Sequence, residues 1–548
     1  MCSLARCRWS LLAYALVLLL HVSATACTNL LVDDEATADG STYVTYSCDG
    51  GIFAAVRIAP EATYAEGATA TIFADSPFYG GDGGNREVLG SIPQTSQTHR
   101  YLDILAGPTY VHVGGMNEHG VSIAETTIGG SRSELTNGHG LLAPFSACPE
   151  RSLMTLALQR AHTAREAVEL IGTMAEEYGY SSPFPVDGEQ LAIGDSTEVW
   201  SMEIFGPGSD WRPDSEEPGA VWCAQRVPDG HVAVSANRSR IGEIDLSDPA
   251  MFLASPNVTS LAREQGWWDS ERDGPFNWSA AYAPYAAPGT LMREWRVFDI
   301  VAPSLGLSPD DPLPFSVAPD RPLSTRDVIA IQRDLLEGTP FDVTANPVFA
   351  ANGETSSLAC PMCSWSFYDL LDLEPQRTIS SRHASFTVLY QTRDDAPSEL
   401  RGCAWFSFGP AATGCYVPIY SGTTALPDAW GSTDLAEGDL ALPFWSMLLP
   451  GFLATVQWQD AFRDLAALRS PAESRFLAEQ QVLSEMLEAW HEQGIEPADR
   501  LNEYAADRLT AVLVGFQDLA DALLADYVIG LGAYVAAPGP SIELPPLP

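Results

Sequence analysis

The chain has 548 residues, 46% of them hydrophobic and 18% charged, which is enough apolar content for a large core and too much for a disordered polymer. Acidic residues number 71 against 29 basic ones, and the formal net charge of −42 repels phosphate backbones and anionic lipid, so neither nucleic acid nor a membrane surface is an expected partner. Every basic residue is an arginine, which excludes a Schiff-base lysine, a Ser-Lys dyad and a phosphate-loop lysine.

In chain order, Arg6 and Arg8 precede an unbroken apolar run over 11–20, and the segment closes with the small-x-small triplet Ala24-Thr25-Ala26. Residues 1–26 therefore read as a signal peptide cut at Ala26/Cys27, with a secreted or periplasmic destination. The run is too short to cross a bilayer. Cleavage makes Cys27 the first residue, joining a thiol nucleophile to a free α-amine whose usual pKa of about 8 suits it to accept the thiol proton. A disulfide partner and a lipidated anchor are the competing readings of a cysteine in this place, although Ala24 stands where a lipidation motif carries Leu or Val.

Strands are predicted over 28–32 and 42–46 around the turn Ala38-Asp39-Gly40-Ser41, so the nucleophile opens the edge of a sheet. Residues 82–85 read as a glycine-rich loop that fails the dinucleotide fingerprint, because Arg86 replaces the last glycine. Strands over 110–113 and 121–125 form a hairpin with Asn117 in its turn, and 152–162 has helical spacing. Thr163-Ala-Arg-Glu166 is a capping box opening a helix to about residue 178, where Gly179 stops it. A further hairpin over 191–195 and 198–204 and a strand over 231–236 give an α+β domain with stacked sheets. Residues 452–527 carry helical periodicity, and the proline-rich end is expected to be disordered. The division is thus a leader over 1–26, a catalytic domain over 27–450, a helical segment over 451–530 and a tail over 531–548.

Cys403 and Cys415 flank a strand-turn-strand pattern and are expected to be able to bridge. Cys360-Pro-Met-Cys363 lacks the second Cys/His pair of a zinc finger and reads as a local disulfide or a plain loop. No Gly-x-Ser-x-Gly elbow is present, and His491-Glu492 lacks the second histidine of a metalloprotease helix.

The blocks Cys27-Thr-Asn-Leu-Leu-Val, Tyr46-Ser-Cys-Asp49, Asn117-Glu-His-Gly-Val, Glu125-Thr-Thr, Glu198-Val-Trp-Ser-Met-Glu203, Ala236-Asn-Arg-Ser-Arg-Ile and Val417-Pro-Ile-Tyr420 resemble, in this order, the C69 dipeptidase family of N-terminal-nucleophile hydrolases. The resemblance covers most of residues 27–425. It implies a four-layer αββα fold and amide hydrolysis, commonly of dipeptides, with small peptides as partners and neither cofactor nor metal; an oligomer is left open. Cys27 is then the nucleophile and Asn117, matching the family's turn, the first choice of oxyanion donor. Asn237 resembles the second asparagine of the wider cysteine amidase group, Asp49 orients the α-amine, and Arg293 resembles an active-site arginine of the amidases. Relatives carry Arg or Lys three residues before the aspartate, where this chain has Tyr46. An N-acyl amidase similar to penicillin V acylase uses the same machinery with a different pocket, and a lipid-anchored binding protein is the non-enzymatic alternative.

Overall fold

The computed structural model describes residues 27–75, 87–107, 110–136, 139–182, 188–286, 288–433, 438–530 and 539–548. The expected leader, the glycine-rich loop over 82–85 and residues 531–538 of the tail lie outside the described residues.

Two antiparallel sheets are built from β1 (Asn29–Val32), β2 (Ser41–Asp49), β3 (Ala54–Ala59), β4 (Tyr101–Ala106), β5 (Val111–Asn117), β6 (Ser122–Ile128), β7 (Gly188–Gly194), β8 (Val199–Phe205), β9 (Val221–Arg226), β10 (Val232–Ser235), β11 (Phe252–Ala254), β12 (Ser316–Val317), β13 (Ala384–Arg393), β14 (Gly402–Phe408) and β15 (Val417–Tyr420). The first runs β12-β10-β1-β2-β13-β14-β15 and the second β11-β9-β8-β7-β6-β5-β4-β3. β1 and β2 of the first sheet pack on β6, β7 and β8 of the second. All nine residues of β2, Ser-Thr-Tyr-Val-Thr-Tyr-Ser-Cys-Asp, are buried. That explains a strand of β-formers without the apolar-polar alternation of a half-solvated sheet.

Each predicted strand exists, displaced by a few residues. The helix predicted from 152 is shorter than its pattern: α1 is Leu153–Leu158, with the Ser152 hydroxyl accepting from the Thr155 N–H. α2 is Ala164–Tyr178; Thr163 accepts from the Glu166 N–H, and Gly179 ends it at φ 80°. Only half of the capping box forms, because the Glu166 carboxylate turns to the His162 N–H at 2.8 Å.

α1 and α2 cover the second sheet, whereas α3 (Pro288–Val301), α4 (Pro443–Ala454), α5 (Trp458–Gln493) and α6 (Pro497–Leu523) lie on the first. The division expected at 450/451 falls inside α4. Leu465, Phe476, Leu483 and Phe516 from the helical segment share one core with Leu30, Val44 and Phe386 of the catalytic sheet. The expectation of a disordered tail is corrected for residues 539–548: Ile542, Leu544 and Leu547 pack on that core, and Arg475 donates to the carbonyls of Leu544 and Pro545 at 3.0 and 2.6 Å.

All eight described cysteines are free thiols, so the expected Cys403–Cys415 bridge is not formed. Cys403 stands opposite Tyr420 in the sheet, and Cys415 lies beside Glu473 of α5. Among the described residues, no helix is long and apolar enough to cross a membrane.

Candidate active site

Cys27 is 2% exposed and belongs to the core. Thr28 and Ser47 exchange both of their backbone hydrogen bonds, at 3.3 and 3.2 Å, which sets Cys27 opposite Cys48 with Asp49 next along β2. Strand alternation then separates the neighbours. Tyr46 and Cys48 share the face that carries Cys27 against the second sheet, and Ser47 and Asp49 share the other.

On the first face the Cys27 thiol donates to Glu125 Oε1 of β6 at 3.9 Å. The Tyr46 hydroxyl donates to the same oxygen. The buried Glu189 carboxyl of β7 lies beside that of Glu125. Burial raises the Glu125 carboxyl above the usual range. The thiol is itself pushed well up, first by its hydrogen bond with Cys48, then by burial and by the nearby carboxylates of Glu125 and Asp49. These neighbours keep sulfur protonated; the thiolate needs a base.

On the other face Asp49 accepts from the Ser47 hydroxyl at 2.7 Å and from Arg377. Burial still holds its carboxyl above the ordinary range, against the lowering pull of Arg377 and Arg293. Arg293, 2% exposed on α3, grips the start of the chain. Its Nη1 donates to the Cys27 carbonyl at 2.6 Å and Thr28 Oγ1 at 2.8 Å, its Nη2 to the Ala236 carbonyl at 3.1 Å and Asn237 Oδ1 at 3.0 Å, and its Nε to the Gly289 carbonyl at 3.1 Å. Burial, and then Arg377, bring this guanidinium down to about 9. Because its N–H groups are spent on protein oxygens, Arg293 positions the nucleophile.

Asn237 follows β10 in the left-handed conformation, at φ 70°, which asparagine tolerates better than most residues. Its Nδ2 donates to the Thr127 carbonyl at 3.0 Å. It is therefore tied to β6 on one side and to Arg293 on the other.

Cys27, Asp49, Asn237 and Arg293 thus come together, and Asn117 does not join them. Asn117 Nδ2 donates to the carbonyls of Leu158 and Ala161 at 3.0 and 2.8 Å, while Oδ1 accepts from the His119 and Val121 N–H groups, each at 3.0 Å. Met116 pairs with Ser122, so the turn lies about four residues from Glu125 along the hairpin, roughly 13 Å at the rise of a strand. With both amide hydrogens committed at that distance, Asn117 cannot hold an oxyanion at Cys27, and that assignment is corrected. His112, in the same hairpin, is bound to Asp103 Oδ1 at 2.8 Å.

Glu125, Glu189, Cys48 and Arg377 were not assigned roles from the sequence. Arg377 reaches Asp49 from 328 residues downstream, and no local pattern marks it. Glu125 opens the block Glu125-Thr-Thr, one of those that carry the resemblance to the family, which was the available signal.

Against this geometry, a model described as Peptidase family C69 matches residues 26–469, from beside Cys27 to within α5. Dipeptidase A of Lactobacillus helveticus is 24% identical over 456 residues, covering 80% of this chain and 85% of its own length. A probable dipeptidase of Salmonella dublin is 26% identical over 424 residues, 75% of this chain and 84% of that one. Among solved structures, a variant of the conjugated bile acid hydrolase of Clostridium perfringens covers 69% of this chain and 91% of its own at 11% identity and a TM-score of 0.26, too slight a likeness to bear on the fold. The family match begins beside the buried cysteine and takes in both sheets and the arginine that clamps the start of the chain: the protein belongs to peptidase family C69.

Proposed function

We propose that this chain is an exported cysteine dipeptidase that works through Cys27 as N-terminal nucleophile, on a four-layer αββα scaffold. The observation that carries the reading is the clamp on Cys27, whose carbonyl is fixed by Arg293 while its thiol is held between Glu125 and Cys48. Dipeptide substrates are inferred from the names of the relatives. The layering is supported by helices on the outer side of each sheet.

In this cycle, signal cleavage frees the α-amine, which takes the thiol proton that the surroundings otherwise retain. The thiolate attacks the scissile carbonyl, and Asn237 is the donor for the resulting oxyanion. The ammonium, held by Asp49, returns its proton to the leaving nitrogen as the C–N bond breaks. Water then releases the acid from the thioester, with the amine again acting as base. Glu125 is the second reading for the base, because it already accepts the S–H hydrogen bond.

Hydrolysis of free dipeptides, measured beside N-acyl amides, tests the substrate class: turnover confined to acyl amides would identify an amidase instead. Cys27→Ser is expected to leave under about a tenth of the wild-type rate, since a hydroxyl is far harder to deprotonate than a thiol. Protein retaining Ala26 should be inactive until trimmed; full activity of the untrimmed chain would rule out the amine. Intact mass of the mature N-terminus detects a lipid anchor.

A further inference from the structure

A second group of reactive side chains lies at the far end of the β5–β6 hairpin. His99 precedes β4, His119 sits in the hairpin turn, and His162 lies between α1 and α2. One ligand nitrogen from each lies within 4.8 Å of the other two. His119 Nε2 is 3.2 Å from His99 Nδ1, and the ring centroids are 4.4, 4.6 and 4.7 Å apart. A tetrahedral ion with metal–nitrogen bonds of about 2.0–2.1 Å places its ligand atoms about 3.4 Å from one another, so one pair already has the required spacing and the third ring needs a small rotation.

The backbone around the cluster is fixed before any ion arrives. The His99 N–H donates to the Gln159 carbonyl at 2.8 Å, and Asn117 staples the hairpin turn to the carbonyls of Leu158 and Ala161 while accepting from the His119 N–H. The Glu166 carboxylate, 3.4 Å from His162 Nδ1, also holds the His162 N–H. Glu118 lies 3.6 Å from His99 Nδ1 and 3.2 Å from Arg100. Two carboxylates beside three imidazoles provide a negative field that favours a cation there.

We propose that His99, His119 and His162 bind a divalent transition-metal ion of the zinc type, as a structural clip separate from Cys27. Imidazole nitrogens select zinc, copper or nickel over calcium and magnesium, and the half-exposed His162 leaves a fourth position for water or a carboxylate. The ion would join three segments, of which Asn117 already links the hairpin turn to residues 158–161 while His99 is tied to Gln159, so the turn asparagine acts as a positioning residue for His119.

The test uses the full processed chain, stripped with chelator and titrated with Co²⁺ and with Zn²⁺. One ion per chain is expected, with a visible cobalt spectrum of tetrahedral type and no intense near-ultraviolet thiolate band, together with a rise in Tm on zinc addition. His162→Gln, at the most exposed ligand, should weaken binding on the order of 100-fold with the metal-free Tm unchanged, and His119→Gln should do the same. Cys27→Ala should leave binding intact. Undiminished binding in both histidine variants, a thiolate band, or no binding in the wild type would each overturn the proposal, whatever the outcome of the dipeptidase assay.

Discussion

At Glu125 the proposed chemistry meets its sharpest alternative, because a carboxylate that accepts the thiol hydrogen bond is either a suppressor of the thiolate or its base. With the α-amine as base, Glu125→Gln removes a charge that raises the Cys27 thiol, so the acid limb of kcat/KM should move to lower pH and kcat should stay within about tenfold. A loss of 10² or more in kcat, at the lower end of general-base effects of roughly 10² to 10⁴, would make Glu125 the base. Tyr46 belongs to the same cluster. Its phenol donates to Glu125, while Arg377 pairs with Asp49 on the opposite face of β2.

The helical segment owes its place to pairings between elements. On α5 and α6, Arg508 is fully buried and donates to Glu479 at 3.2 and 3.0 Å, and the Tyr504 hydroxyl donates to the same carboxylate at 3.0 Å. Removing Arg508 leaves the buried Glu479 with Arg475 at 2.8 Å and the Tyr504 hydroxyl as its remaining partners, so Arg508→Met should cost about 1–3 kcal/mol in denaturant unfolding. The double variant Arg508→Met with Glu479→Gln should recover much of that loss. If the single variant unfolds like wild type, the pair is not holding α6 to α5. Gln480 of α5 also donates to Gln391 of β13 at 3.1 Å, so loss of this packing is expected to reach the strand beside β2.

Over the whole molecule, the charge of −42 opposes compaction through self-repulsion that salt screens over about 10 Å at 0.1 M. Raising NaCl from low concentration to about 1 M should therefore raise Tm by a few degrees; an unchanged or falling Tm would show that specific ion pairs outweigh the net field. Much of the fold was legible in the sequence. Strand residues, the Gly179 stop and the cysteine at the start of β1 are local signals, because alternation, capping and turn chemistry act within a few residues. For the site, the sequence marked Cys27, Asp49, Asn237 and Arg293, which do converge. It misplaced Asn117, since a turn asparagine looks the same whether its amide faces a substrate or the end of a helix. Arg377 beside Asp49, Glu189 beside Glu125, the docking of the tail and the three histidines spaced over 99–162 were set by tertiary structure alone. Each depends on which strands and loops become neighbours, and that is decided by burial of the whole core, not by any stretch of chain that contains the residues.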